Sequence, residues 1–157
     1  MTGVAVVGAA ETTELGKVPG MSQIQLHADA ALNAFEDAGI SAKDIDGLAT
    51  AGGRPTDLAH YLGIIPTWVD GTAVGGCSFM LHVRHAVAAL VTGQCRTVLI
   101  THGESGRSGI GRDGFGRAPA SLQGQFEAPF GPMGPPTLFT LPVLRYMKNY
   151  GMSPVSY

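Results

Sequence analysis

Short apolar runs alternate with stretches of helical spacing along this chain, and that alternation restricts it to few folds. The runs are residues 4–7, 45–50, 68–74 and 97–100, each bounded by glycine or polar turn residues. Continuous apolar runs of this length read as buried strands. Between the first two, Ala28, Ala31, Leu32, Phe35 and Ala38 recur at helical spacing. Ser22 suits the N-cap of that helix, and Gly39 suits its left-handed stop. Residues 41–44 (Ser-Ala-Lys-Asp) read as a capped turn, because Ser and Asp side chains compete locally for backbone groups. A short helix is expected at 57–62, stopped by Gly63, and a longer one at 78–92. In the longer helix Phe79, Val83, Ala86, Val87 and Leu90 form one face, while Met80 and Ala88 keep the other side apolar. Apolar residues on several sides predict burial on more than one face. Strand–helix alternation of this kind predicts an α/β fold with a parallel sheet.

Ligands of such a sheet belong at the carboxyl ends of its strands. Cys77 follows the third run through Gly75 and Gly76 and stands at the start of the 78–92 helix, while His102 and Glu104 follow the fourth run. A thiol at the first turn of a helix meets unpaired N–H groups and the positive end of the dipole, which is one way to make a sulfur nucleophile. The other reading of Cys77 is a small apolar side chain packed at a helix start. His82 and His85 stand three residues apart on the helix. Two imidazoles without a nearby carboxylate or thiolate make a poor metal site, so core or interface histidines are expected. Glu127, between Phe126 and Ala128, is placed for a buried hydrogen bond or a partner contact.

Composition narrows the function further. At 157 residues the chain has the length of one domain. A net charge of −2 gives no electrostatic case for nucleic acid or an anionic membrane. Only 14% of residues are charged, which predicts a surface partly covered by another domain or subunit. Two cysteines, Cys77 and Cys95, make no disulfide framework, and Met1-Thr2-Gly3 opens no signal-peptide pattern. A reducing cytoplasmic location without membrane insertion is the expectation. From residue 105 to 136 Gly, Pro, Arg and Ser dominate. The chain therefore divides into an α/β core at 1–104 and a loop region at 105–157 that closes with a helix over 138–150. Arg107, Arg112 and Arg117 recur in that region. They are candidates for phosphate contacts or simply solvated charges.

The succession of these residues resembles the N-terminal half of a thiolase-superfamily protein. It is carried by residues 38–48 (Ala-Gly-Ile-Ser-Ala-Lys-Asp-Ile-Asp-Gly-Leu), 62–64 (Leu-Gly-Ile), 75–78 (Gly-Gly-Cys-Ser) and 82–89. Residues 125–131 (Gln-Phe-Glu-Ala-Pro-Phe-Gly), Arg145-Tyr146-Met147 and Tyr150-Gly151 point more narrowly to lipid-transfer-protein-like thiolases and steroid side-chain aldolases. The resemblance implies half of a five-layered α-β-α-β-α fold, with a mixed, mostly parallel sheet and helices on both faces. It also implies an acyl-coenzyme A thioester as substrate, no bound cofactor, and a homodimer or a hetero-oligomer with a partner subunit.

Cys77 is the candidate for the family's acyl acceptor, and Gly76, Ser78, His102, Glu104 and Glu127 are the candidate substrate-binding residues. The reaction implied is acyl transfer that forms or cleaves a C–C bond beside a thioester, in lipid, fatty-acid or sterol metabolism. Two alternatives are retro-aldol cleavage without a cysteine nucleophile and a non-catalytic half-domain that binds a partner. Two departures weigh on the choice. Cys77 is followed by Ser78-Phe79-Met80 rather than the family's small residues and glycine, and an ungapped alignment counted back from Gly93 puts Gly76 at the nucleophile position. The family's Gly-His-Pro and Cys-x-Gly motifs are not found up to Tyr157, so a longer chain or a second polypeptide is expected to complete the site.

Overall fold

A computed structural model describes residues 3–111, 120–131 and 135–153. The chain falls into two compact units, Met1–Arg112 and Asp113–Tyr157. The first holds three strands, β1 (Gly47–Thr50), β2 (Trp68–Asp70) and β3 (Val98–Thr101), in the order β2-β1-β3. Both pairings are parallel, with Gly47 opposite Trp68 on one side and Val98 on the other. Central β1 is buried at every position, as expected for a strand covered on both faces.

Helices α1 (Gln23–Ala38) and α2 (Pro55–Leu62) pack on one face. Ala31 and Phe35 of α1, Leu58 and Ala59 of α2, Leu48 and Leu99 of the strands, and Ile45 and Ile64 form the core. The start of α1 follows from its sequence: Ser22 and Gln25 make a reciprocal capping box, and Gly39 ends the helix at φ 67°. In the 3-10 turn Ala42–Asp44 the Asp44 carboxylate accepts from both the N–H and the hydroxyl of Ser41. Those bonds hold the Asp44 pKa below its usual value.

Helix α3 (Ser78–Val91) packs against the sheet through Ser78, His82, Ala86 and Ala89. This corrects the expected face. Small and polar residues let the helix approach the strands closely, while Met80, Val83, Val87 and Val91 form an exposed stripe. The expected burial on several sides is not found among the described residues.

Three further expectations change. Residues 4–7 form no strand; Val4, Val6 and Val7 are exposed. β-branched residues make a run strand-competent, but a strand also needs a ladder partner, and none pairs with this run among the described residues. The chain just beyond is tied to α1 instead. Asp37, Asn33 and Asp29, each four residues apart, bind the Ala9 N–H, the Glu11 carbonyl and the Thr13 N–H. Strand β2 ends at Asp70 rather than at 74, because the Asp70 carboxylate accepts from the Thr72 N–H and hydroxyl and turns the chain. Helix α2 begins two residues earlier than expected, with Pro55 in its first turn.

The second unit holds α4 (Leu122–Phe126), a 3-10 turn (Ala128–Phe130) and α5 (Pro135–Tyr150), so the expected loop contains helical turns. Helix α5 starts before 138 and accommodates Pro142 internally. Among the described residues no helix is long and apolar enough to cross a membrane.

Candidate functional site

The parallel strands end together at Thr50, Asp70 and Thr101. The chain leaves these ends through three loops, and most of the candidate residues lie on two of them. From β2, residues 71–77 lead to α3. Ser78 is fully buried there, and its hydroxyl donates to the Gly75 carbonyl (2.6 Å) and accepts from the Val74 N–H (2.9 Å). Its contribution is therefore the shape of the turn. Gly75 takes φ 84°, open to glycine, and Gly76 is exposed beside it.

Cys77 is the residue that caps α3, yet its side chain makes no cap hydrogen bond. The thiol is exposed and directs its hydrogen to the Val74 carbonyl at 3.7 Å. The imidazoles on neighbouring elements have other partners: His82 Nε2 donates to the Thr72 carbonyl (2.9 Å), its Nδ1 is buried without a partner, and His102 Nε2 turns to Glu104. Cys95, by contrast, is buried; desolvation and then the Asp46 charge push its thiol pKa up.

From β3 the chain runs directly into His102, Gly103 and Glu104. His102 Nε2 lies 3.3 Å from Glu104 Oε2, and both side chains are about half exposed. The His102 ring tilts against Phe79 of α3, with centroids 4.7 Å apart, and Phe79 meets His82 edge-on at 5.7 Å. Behind it lies His27 of α1, edge-on to His102 at 6.4 Å. His27 is buried, with Nδ1 2.9 Å from Thr101 Oγ1 and 3.4 Å from Thr50 Oγ1. Thr50 in turn donates to the Thr101 carbonyl. Desolvation, reinforced by His102, lowers the His27 pKa to about 4, so this ring is neutral near pH 7. Its Nε2 has no partner.

Sequence reasoning missed His27, Thr50 and Thr101. The available signal was a histidine flanked by Leu26 and Ala28 in a helix whose buried residues are otherwise Ala31 and Phe35. It also missed the Asp70–His85 pair, where His85 Nδ1 donates to Asp70 Oδ2 at 2.7 Å. Burial works to raise the Asp70 pKa, but hydrogen bonds from Thr72 and His85 outweigh it and hold the value at about 2. This pair lines an open groove of about 330 Å³ with Trp68 and Gln94. His82 and His85 thus point to different partners. Among the described residues no group of three or more His, Cys, Asp or Glu is arranged for a metal.

Glu127 precedes the 3-10 turn of the second unit and is half-buried there. Arg107 lies in the first unit, near Gly16. Arg112 and Arg117 are outside the described residues.

No protein-family model matches the chain. It is 30% identical to a steroid side-chain-cleaving aldolase of Thermomonospora curvata, over 96% of this chain and 41% of the relative. It is 29% identical to a 17-hydroxy-3-oxo-4-pregnene-20-carboxyl-CoA lyase of Mycobacterium tuberculosis, over 96% of this chain and 42% of that one. The chain thus spans about two-fifths of the length of these relatives. Among solved structures, an Ltp2-ChsH2(DUF35) aldolase superposes with a TM-score of 0.75 and 28% identity, covering 95% of this chain and 39% of the other.

Proposed function

We propose that this chain, similar to thiolase-like proteins of the branch that contains the steroid side-chain aldolases, serves retro-aldol cleavage of a β-hydroxyacyl-coenzyme A thioester. The observation that carries the choice between acyl transfer and cleavage is the chemistry of the relatives: along 96% of this chain, the two are named an aldolase and a lyase. The Phe79 and Met80 that follow Cys77 and Ser78, in place of the family's small residues, support the same reading.

In the proposed reaction a base takes the proton of the β-hydroxyl, and its O–H electrons form the new C=O. The Cα–Cβ bond breaks, and its electrons form the enolate of the shorter thioester. Protonation at Cα then releases a ketone and a shorter acyl-coenzyme A, with no net proton change. His102 is our candidate for the base. Glu104 engages Nε2, which leaves Nδ1 as the nitrogen offered to substrate. The N–H groups of Gly76 and Cys77, at the positive end of 14-residue α3, are the candidate donors for the thioester oxygen. Ser78 holds that turn.

A sterol-like side chain is the proposed substrate class, since the lyase relative is named for a 17-hydroxylated steroid carboxyl-CoA. A hetero-oligomer with a partner subunit is proposed as well; the aldolase structure named for two components supports it. The exposed stripe Met80, Val83, Val87 and Val91 offers apolar surface for such an association.

The test is incubation of the intact protein, with any co-purifying subunit, with a β-hydroxyacyl-coenzyme A bearing a bulky ring system. Mass spectrometry should find ketone and shorter thioester in equal amounts. Cys77→Ala should keep that activity, while His102→Ala should lower kcat by about 10²–10⁴-fold. Loss of all turnover in Cys77→Ala, with an acyl adduct on the wild-type sulfur, would establish acyl transfer instead.

A further inference from the structure

Helix α1 grips the loop after β3 at two points one turn apart. Gln23 Nε2 donates to the Gly103 carbonyl at 3.1 Å. Four residues on, the His27 ring fills the space that a side chain at 103 would need: a Cβ there would lie 2.5 Å from His27 Cδ2 and 2.9 Å from the Gln23 carbonyl oxygen. The same ring bonds through Nδ1 to the hydroxyl of Thr101, the last residue of β3, and meets His102 edge-on. One buried side chain therefore touches Thr101 and His102, on both sides of the strand end, and closes the space over Gly103.

A residue that only filled space would be expected to be apolar. His27 is 3% exposed, and burying its Nε2 without a partner carries a desolvation cost. Leucine or phenylalanine in its place would lack that cost and would lose the link to Thr101. We propose that His27 is a positioning residue, whose ring wedges the His102–Gly103–Glu104 loop against α1 and fixes the orientation of the His102 imidazole. The proposal rests on the reading of His102 as the base. In the described contacts the titratable groups beside His102 are His27 from α1 and Glu104 from its own loop, while α3 presents the uncharged Phe79.

The experiment uses the intact protein with ¹⁵N-labelled histidine. In wild type the His27 ring nitrogens should register a step at the pH where His102 titrates, because the rings touch; a flat His27 profile overturns the proposal without any variant. His27→Leu should lower kcat about 10–100-fold with KM nearly unchanged, as displacement of a catalytic group by about 1 Å does, and His27→Asn, which keeps a polar group near the Nδ1 place but lacks the ring, should lower kcat less than His27→Leu. The His102 titration midpoint should move in His27→Leu. Gly103→Ala, which drives a Cβ into the same ring, should reproduce the His27→Leu kinetics. If His27→Leu lowers only the melting temperature, with kcat and the His102 titration unmoved, the residue is merely structural and the proposal falls. If His102→Ala cleaves normally while the His102 titration still responds to His27→Leu, the wedge stands and the assignment of His102 as base is lost.

Discussion

His82 Nε2 donates to the carbonyl oxygen of Thr72 across 2.9 Å, and this bond joins those of Ser78 in tying the start of α3 to the loop that leads into it. The donor is fully buried and the acceptor lies ten residues back, beyond the cysteine and both glycines. His82→Leu should therefore destabilise the fold by ~1–3 kcal/mol, the cost of leaving a partly buried carbonyl unpaired. Urea denaturation checks this. An unchanged midpoint would mean that the 71–77 loop is held without His82.

Gly47 opens β1 where its neighbours leave no room. A Cβ there would lie 2.8 Å from Val98 Cγ2 and 3.1 Å from Cys95 Sγ. Gly47→Ala should cost about 1–3 kcal/mol by overpacking, and Gly47→Ala combined with Val98→Ala should recover part of it. Thermal melts of the two variants make the comparison. Equal stability of the single variant and wild type would remove the steric argument.

Stability should depend on pH through His27. Its folded pKa, about 4, lies below the unfolded value of 6.5, so the unfolded chain binds the proton more readily between those limits. Stability is full above about pH 6.5 and falls as pH drops toward 4, with a slope of at most about 1.4 kcal/mol per pH unit from this group. The carboxylates Asp70 and Asp44, with pKa values lowered on folding, lose their stabilising contributions at still lower pH, so the window belongs to histidine. Denaturation midpoints at pH 4.5, 5.5 and 6.5 should decline in wild type and decline less in His27→Leu. Parallel curves would mean that His27 titrates alike in both states.

The loop wedge at Gly103 and the cleavage chemistry at His102 are tested by separate readouts, since nuclear magnetic resonance follows the rings whether or not turnover occurs. That separation matters for a chain that spans about two-fifths of the length of its relatives.

Much of the architecture is local and therefore legible. Ser22 with Gln25, Gly39 and Gly63 fix helix ends through backbone conformation and hydrogen bonds within a few residues. Short apolar runs between helical stretches announce a parallel sheet, and the carboxyl ends of its strands locate His102, Glu104 and the turn at Gly76, Cys77 and Ser78. Pattern alone misjudged α3, because side-chain size pointed the large apolar residues inward. In fact Ser78, His82, Ala86 and Ala89 face the sheet, where close approach favours small side chains. It also misjudged residues 4–7, since strand propensity says nothing about whether a ladder partner is at hand.

What the sequence determined by itself was the order of elements, the thiolase-like resemblance and the position of a cysteine at a helix start. What only the tertiary structure decided was which groups meet. His27 stands on α1, Thr50 on β1, Thr101 on β3 and His102 just beyond it, up to 75 positions apart along the chain, yet they meet at the carboxyl ends of two adjacent strands. Their contact is set by the register of β1 against β3 and by the packing of α1 over both, and no short stretch of residues encodes either. The same holds for Cys77: its neighbours in sequence place it at a helix start, and only folding sets its exposed sulfur 3.7 Å from the Val74 carbonyl.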